Sequence, residues 1–214
     1  MQWRLHRGGR FRSWLGARFG GDRELGDRLW RRILHGLGAL VVLYYVLPSR
    51  LFVVVSTEEV ILALLALVLL LEAARQLGAL ELPTVRPFEK DRVASFAYYS
   101  IALVAAVLVF PEPIGATVAV GTALVDPLIG ELRGSARFRS YYPGLPITLY
   151  TIIGLGAFLA TTTRDYDSSL LLAFAAALVA VAAERPKNRW VDDDLLMTIA
   201  PALLLLALVT LWPA

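Results

Sequence analysis

The chain has 214 residues, of which 57% are hydrophobic, 18% charged and none cysteine, with a formal net charge of +3 and a mean hydropathy of +0.63. A soluble domain is about 45–50% apolar and about 25% charged, so a soluble globular fold is excluded. The absence of cysteine excludes disulfides, thiolate metal sites and cysteine nucleophiles, and the length excludes a large multi-domain enzyme.

Residues 1–30 interleave Arg4, Arg7, Arg10, Arg12 and Arg18 with Trp3, Phe11, Trp14, Phe19 and Trp30. This pattern predicts a basic amphipathic segment lying on an anionic cytoplasmic leaflet. Membrane attachment accounts for these residues without a nucleic-acid partner. The rest of the chain, 31–214, reads as one all-α membrane helix bundle. Uncharged or nearly uncharged apolar runs predict about seven spans, at 33–48, 58–76, 93–110, 113–131, 145–163, 168–184 and 195–213. The breaks are Pro48-Ser49-Arg50, Pro111-Glu112-Pro113 and Arg164-Asp165-Tyr166-Asp167, and Ser56 with Glu59 predicts a capping box at the start of the second span.

Of the 21 basic residues, 19 fall in segments that alternate with these breaks, and only Arg50 and Arg164 fall on the other side. Basic residues near span ends stay cytoplasmic, so the N-terminus is expected inside and the C-terminus outside. No cleavable signal peptide is expected, because the first apolar run begins only after Arg32 and six more follow.

Ionisable groups at the edges of spans are the informative residues, since burying them costs a few kcal/mol and they persist with a task or a partner. They gather at the predicted cytoplasmic ends: Arg31, Arg32 and His35; Glu72 and Arg75; Asp126 and Glu131; Glu184; and Asp192, Asp193 and Asp194. Asp126 ends an uncharged stretch and precedes Pro127, a residue expected to disrupt the helix and free backbone carbonyls beside a site; the alternative is a carboxylate snorkelling or paired to an arginine. Three adjacent aspartates repel one another unless a cation or arginines sit among them, and hard oxygen ligands suit Mg²⁺. Equally, Asp194 could cap the last helix through its dipole. Glu72 and Arg75, three residues apart, form either a structural pair or a ligand contact. His35 shares a helical face with Arg31 and Arg32. Arg133, Arg137 and Arg139 are accounted for by topology, although arginine also holds phosphates. The alanine-rich stretch 173–183 permits close helix contacts, within the chain or in a homodimer. P-loop, G-x-G-x-x-G, H-E-x-x-H and G-x-S-x-G motifs are all absent.

In order along the chain stand Arg31-Arg32-Ile33-Leu34-His35, Glu72-x-x-Arg75, Arg86-Pro-Phe-Glu89 leading to Ser95, Asp126-Pro-Leu-Ile-Gly130, and Glu184 followed by Asp192-Asp193-Asp194 and Pro201. In this order and spacing the sequence resembles the integral-membrane polyprenol kinase family, which includes dolichol kinase and phytol kinase and is related more distantly to the membrane cytidylyltransferases. The resemblance implies a CTP-dependent lipid-alcohol kinase acting on an isoprenoid alcohol. It implies Mg²⁺ held by Asp126 with Asp192 or Asp193, Glu72 or Glu131 orienting the attacking hydroxyl, and Arg31, Arg32, His35 and Arg75 serving the nucleotide.

The sequence departs from the family pattern at Val125, where the family has glycine. It departs again at Tyr141-Tyr142-Pro143-Gly144-Leu145-Pro146, which replaces a lysine- and glutamate-bearing segment associated with CTP, and at the third aspartate of 192–194, where the family has asparagine. Phosphate binding then falls to Arg133, Arg137, Arg139 or Arg185. A cytidylyltransferase forming a CDP-lipid and a non-catalytic lipid-binding or transport homologue are the alternatives.

Overall fold

The computed structural model describes residues 23–51, 54–80, 82, 85, 89, 91–184 and 192–212, with the backbone alone for 23–28. The amphipathic pattern at 1–22, Arg86 and Arg185 lie outside the described residues. Among the described residues the α-helices are α1 (Arg23–Leu37), α2 (Leu43–Val46), α3 (Thr57–Gln76), α4 (Ser95–Val109), α5 (Glu112–Gly134), α6 (Gly144–Thr161), α7 (Tyr166–Ala183) and α8 (Asp193–Leu211). A 3₁₀ turn over Gly38–Val42 joins α1 to α2, and a two-residue antiparallel pair, β1 (Arg50–Leu51) with β2 (Val55–Ser56), leads into α3.

The protein is a helical membrane bundle. Among the described residues four helices, α5 to α8, are long and apolar enough to cross a membrane. The other expected spans take different forms. Helix α4 has only 15 residues, and α3 carries Glu58, Glu59, Glu72 and Arg75 along an otherwise apolar stretch. The expected first span at 33–48 is three consecutive pieces, with α1 beginning ten residues earlier, at Arg23. Polar residues of 23–32 propagate that helix, since Arg, Glu and Leu are good helix formers whatever their hydropathy.

Helix ends follow local chemistry. Ser56 and Glu59 make the expected reciprocal capping box, with Ser56 N–H donating to Glu59 at 2.7 Å and Glu59 N–H to the Ser56 hydroxyl at 3.1 Å. Asp165 caps α7 by accepting from Ser168 N–H at 2.9 Å, an interaction that holds its carboxyl below the ordinary range. Pro127 does not break α5: the helix runs unbroken from Glu112 to Gly134, with the proline inside it. Neighbouring helices hold such a turn in place although the proline supplies no N–H to the carbonyl four residues back.

Helix α5 is the centre. It packs against α1, α4, α6, α7 and α8, and 56% of its apolar window is buried, against 39% for α7 and less for α6 and α8. Ile114, Val118, Ala123, Val125 and Ile129 from α5 meet Tyr150 and Phe158 of α6 and Met197 and Leu205 of α8 in one core. The alanine stripe of α7 (Ala173, Ala176, Ala177 and Ala180) is wholly buried within the chain, so its close helix contacts are internal.

Gly121 of α5 faces Tyr150, and a Cβ there would lie 2.5 Å from the ring. Gly130, on the same helix, has open space around it. Gly121→Ala is therefore expected to destabilise by about 1–3 kcal/mol through overpacking, whereas Gly130→Ala removes a flexible residue from a helix and raises stability by up to about 1 kcal/mol. Melting temperatures of both variants in mild detergent check this; a Gly121→Ala protein as stable as the parent contradicts the packing.

Candidate functional site

At one end of the bundle the start of α8, the last turns of α5 and the end of α1 meet. His35 Nε2 stands 3.7 Å from Asp126 Oδ2 and 3.7 Å from Asp194 Oδ1, and the three ligand atoms lie within 4.8 Å of one another. These distances are too long for hydrogen bonds. They are slightly wider than the ~3 Å that separates neighbouring ligands around Mg²⁺, which binds at about 2.0–2.1 Å. Two carboxylates with one imidazole are a mixed oxygen and nitrogen donor set that could hold a divalent cation, the carboxylates alone being the donors that suit Mg²⁺. Asp126 is the most exposed of the three side chains at 27%, against 14% for His35 and 9% for Asp194.

His35 is set by its neighbours. The Tyr99 ring stacks on the imidazole with centroids 3.8 Å apart and planes 18° from parallel, and the Tyr99 hydroxyl donates to the His35 carbonyl at 2.6 Å. Gly38 makes this approach available, because any side chain there would collide with the Tyr99 hydroxyl. The imidazole is thus held against α4 while it faces α5 and α8.

A second carboxylate group adjoins the first. Ser95 Oγ, at the start of α4, lies 2.9 Å from Glu89 Oε1 and 2.8 Å from Asp192 Oδ2, and both acids are buried. One hydroxyl proton serves one acceptor at a time, so this arrangement calls for added positive charge or a proton. Arg92 Nη2 stands 4.0 Å from Asp192 Oδ2. Burial pushes the Asp192 carboxyl above the ordinary range, against the hydrogen bond from Ser95, and the charge of Asp193 raises it further. Asp192, and not Asp194, caps α8: its Oδ1 accepts from Asp194 N–H at 3.2 Å, leaving the Asp194 carboxylate to face His35.

The remaining predicted residues divide by their contacts. Glu72 and Arg75 form a buried clamp. Arg75 donates to both Glu72 oxygens at 2.7 and 2.8 Å and to the Arg92 carbonyl at 2.7 Å, while Glu72 also accepts from Gln76 at 2.9 Å and from Ala94 N–H at 3.0 Å. The pair ties the end of α3 to the start of α4. Arg133 is paired with buried Glu184, donates to the Tyr142 hydroxyl at 2.6 Å and lies over the Tyr142 ring. Arg32 pairs with Glu131, which is exposed. Arg137 and Arg139 are exposed on the loop after α5, Arg137 over the Phe138 ring.

Asp126 and His35 are thus brought together with Asp194, which also stands in one group with Asp192 and Asp193, their ligand atoms within 4.8 Å of one another, while Glu72, Arg75 and Arg133 bind protein groups. Glu89 and Ser95 belong to the segment Arg86-Pro-Phe-Glu89 leading to Ser95 singled out in the sequence, whereas Tyr99 and Arg92 join the site through tertiary contacts. Among models of known protein families, curated proteins and solved structures, none matches this chain.

Removing one member of a buried ion pair strands the other and costs about 3–5 kcal/mol. Glu72→Ala, which also leaves Ala94 N–H without its acceptor, is expected to lower the melting temperature in detergent sharply. If Glu72→Ala melts with the parent, the clamp does not hold α3 to α4.

Proposed function

We propose that the chain is a multi-pass membrane enzyme that moves the γ-phosphoryl group of CTP to the terminal hydroxyl of a polyprenol or related isoprenoid alcohol at the cytoplasmic face of the bilayer, releasing CDP. The observation that carries this reading is the convergence of His35, Asp126 and Asp194 at one end of helices apolar enough to cross a membrane. A nucleotide arrives from water while the acceptor's tail stays in lipid, so their reacting groups can meet only at such a boundary. The order of segments shared with the polyprenol kinases supports the same reading. We place seven crossings in the chain, with α1 to α2 as the first, and the N-terminus in the cytosol. The gathering of 19 of the 21 basic residues on one side supports that orientation.

Phosphoryl transfer has a loose transition state that asks for positioning and charge neutralisation more than for covalent chemistry. Asp126 and Asp194 would hold Mg²⁺ through carboxylate oxygens, with Asp192 and Asp193 beside them and His35 facing both. When bound, the ion supplies positive charge that offsets the charge of the transferring phosphoryl group. Arg31 and Arg32, on the helix that carries His35, bring cationic charge to the same end, and Glu131 orients Arg32. Exposed Arg137 and Arg139 add charge for the phosphates. The acceptor oxygen bonds to Pγ as the bond from Pγ to the bridging oxygen breaks. Asp126, the most open of the three side chains, orients the hydroxyl and takes its proton.

One observation favours a second reading, a lipid-binding homologue without catalysis. The segment Tyr141–Pro146 carries no lysine or glutamate, and Arg133 beside it is spent on Glu184 and Tyr142.

Purified protein in liposomes with γ-labelled CTP, Mg²⁺ and a panel of isoprenoid alcohols separates these readings. The kinase reading expects label in the organic phase and CDP in water, and Asp126→Asn is expected to reduce transfer by about 100-fold or more with the melting temperature little changed. Transfer undiminished in Asp126→Asn sinks the site assignment. Pyrophosphate release without organic label favours a CDP-lipid product, and no turnover of CTP favours the lipid-binding reading.

A further inference from the structure

Nine residues, 135–143, join α5 to α6. Both helices are long and apolar enough to cross a membrane, and they pack side by side, so a connection this short between them stays at the membrane face. The chain there is turned tightly on itself. Phe138 N–H and Arg139 N–H donate to the Ser135 carbonyl at 3.3 and 3.1 Å, Tyr141 N–H to the Phe138 carbonyl at 3.1 Å, and Tyr142 N–H to the Arg139 carbonyl at 3.2 Å. At the base of the turn Tyr142 is held by Arg133, which pairs in turn with Glu184. The turn is thus braced from within, and what it offers outward is side chains.

Those side chains are of two kinds. Phe138 and Tyr141 are exposed, at 44% and 57%, with ring centroids 6.5 Å apart. Arg137 and Arg139 are exposed beside them, the Arg137 guanidinium 5.3 Å from the centre of the Phe138 ring. No aspartate or glutamate stands between Glu131 and Asp165, so the two cations have no acid on their own loop. Aromatic rings settle at the level of lipid headgroups, apolar on one side and wet on the other. Guanidinium groups pair with phosphate oxygens through two parallel hydrogen bonds, and a basic residue at an anionic leaflet favours contact by about fivefold.

We propose that the 135–143 turn is a docking surface for anionic phospholipid headgroups, with Arg137 and Arg139 meeting lipid phosphates while the Phe138 and Tyr141 rings sink to the headgroup level. An acidic soluble protein would satisfy the arginines alone, whereas a position between two such helices brings the rings to the headgroups as well. The inference needs only the membrane bundle and holds whether or not the chain is a kinase. Charge that these arginines lend to a nucleotide is lent from the docked position.

The test uses the full chain, whose lack of cysteine lets a single nitroxide be attached at Ser140→Cys, an exposed position between Arg139 and Tyr141. Electron paramagnetic resonance reads the ratio of immobilised to mobile label and its access to an uncharged nickel chelate, in vesicles of phosphatidylcholine alone or mixed with phosphatidylglycerol. Phosphatidylglycerol is expected to raise that ratio by roughly 25-fold, about fivefold for each arginine, and to cut nickel access, both effects fading in high salt. Arg137→Gln combined with Arg139→Gln is expected to abolish the response. Each single variant keeps about fivefold of it and carries the test should the double variant fail to fold. Phe138→Ser combined with Tyr141→Ser is expected to raise nickel access in both lipids. A label equally mobile and equally open to nickel in both vesicles overturns the proposal. So does a label that responds to inorganic phosphate in phosphatidylcholine vesicles but not to phosphatidylglycerol, since the arginines then serve a soluble anion. A full response to phosphatidylglycerol in the double glutamine variant overturns the assignment to Arg137 and Arg139.

Discussion

Two carboxylates held within 4.8 Å of each other at the mouth of an apolar bundle are the constraint around which the rest of the structure is arranged. At an effective dielectric constant near 20, two like charges at that distance repel by about 3 kcal/mol, and the surrounding helices offer little water to relieve them. Such a pair persists only where something positive stands between its members or a proton is shared. His35 faces both members of the pair, and the neighbouring Glu89–Ser95–Asp192 group repeats the problem with Arg92 beside it.

Holding the acids there takes four helices distant in sequence. Helix α5 supplies Asp126 from the centre of the bundle, where it packs against five other helices; α8 supplies Asp194 because Asp192 takes over the capping duty. Helix α1 supplies His35, fixed by the Tyr99 ring and hydroxyl, and α4, which bears Tyr99, is itself anchored at its first turn by Glu72 through Ala94 N–H. The clamp on α3 therefore reaches the site through α4 and His35 without touching it. The buried pair Glu72–Arg75 and the half-buried pair Arg133–Glu184 do not have to add net stability to matter: a buried acid whose partner moves away is stranded. Through Ala94 N–H and the Arg92 carbonyl the first pair fixes α3 against α4, and the second joins α5 to the end of α7.

What was legible in the sequence was whatever depends on neighbours along the chain. The Ser56–Glu59 box is local chemistry, and the apolar runs that became α5 to α8 are set by composition alone. The gathering of charge at one end could also be read, because apolar runs leave ionisable residues nowhere else to go. Tertiary choices could not be read. Hydropathy misses α1 because its polar residues favour helix as well as apolar ones do. Pro127 promised a break, but the helix packed at the centre of the bundle runs on through it. In the aspartate triplet, composition cannot say which member caps and which faces inward; the backbone turn before α8 decides it, sending Asp192 to Asp194 N–H and Asp194 to His35. Glu72 and Arg133 advertised chemistry by type and proved to be bound to protein groups.

The central claim is that α1, α5 and α8 together form a divalent-cation site at one membrane face, and anomalous X-ray scattering from crystals of the protein grown with Mn²⁺ tests it most directly. The account predicts one strong anomalous peak within bonding distance of Asp126, Asp194 and His35, at the end of the bundle where α8 begins. A peak held by other residues, or none at these three, would contradict it.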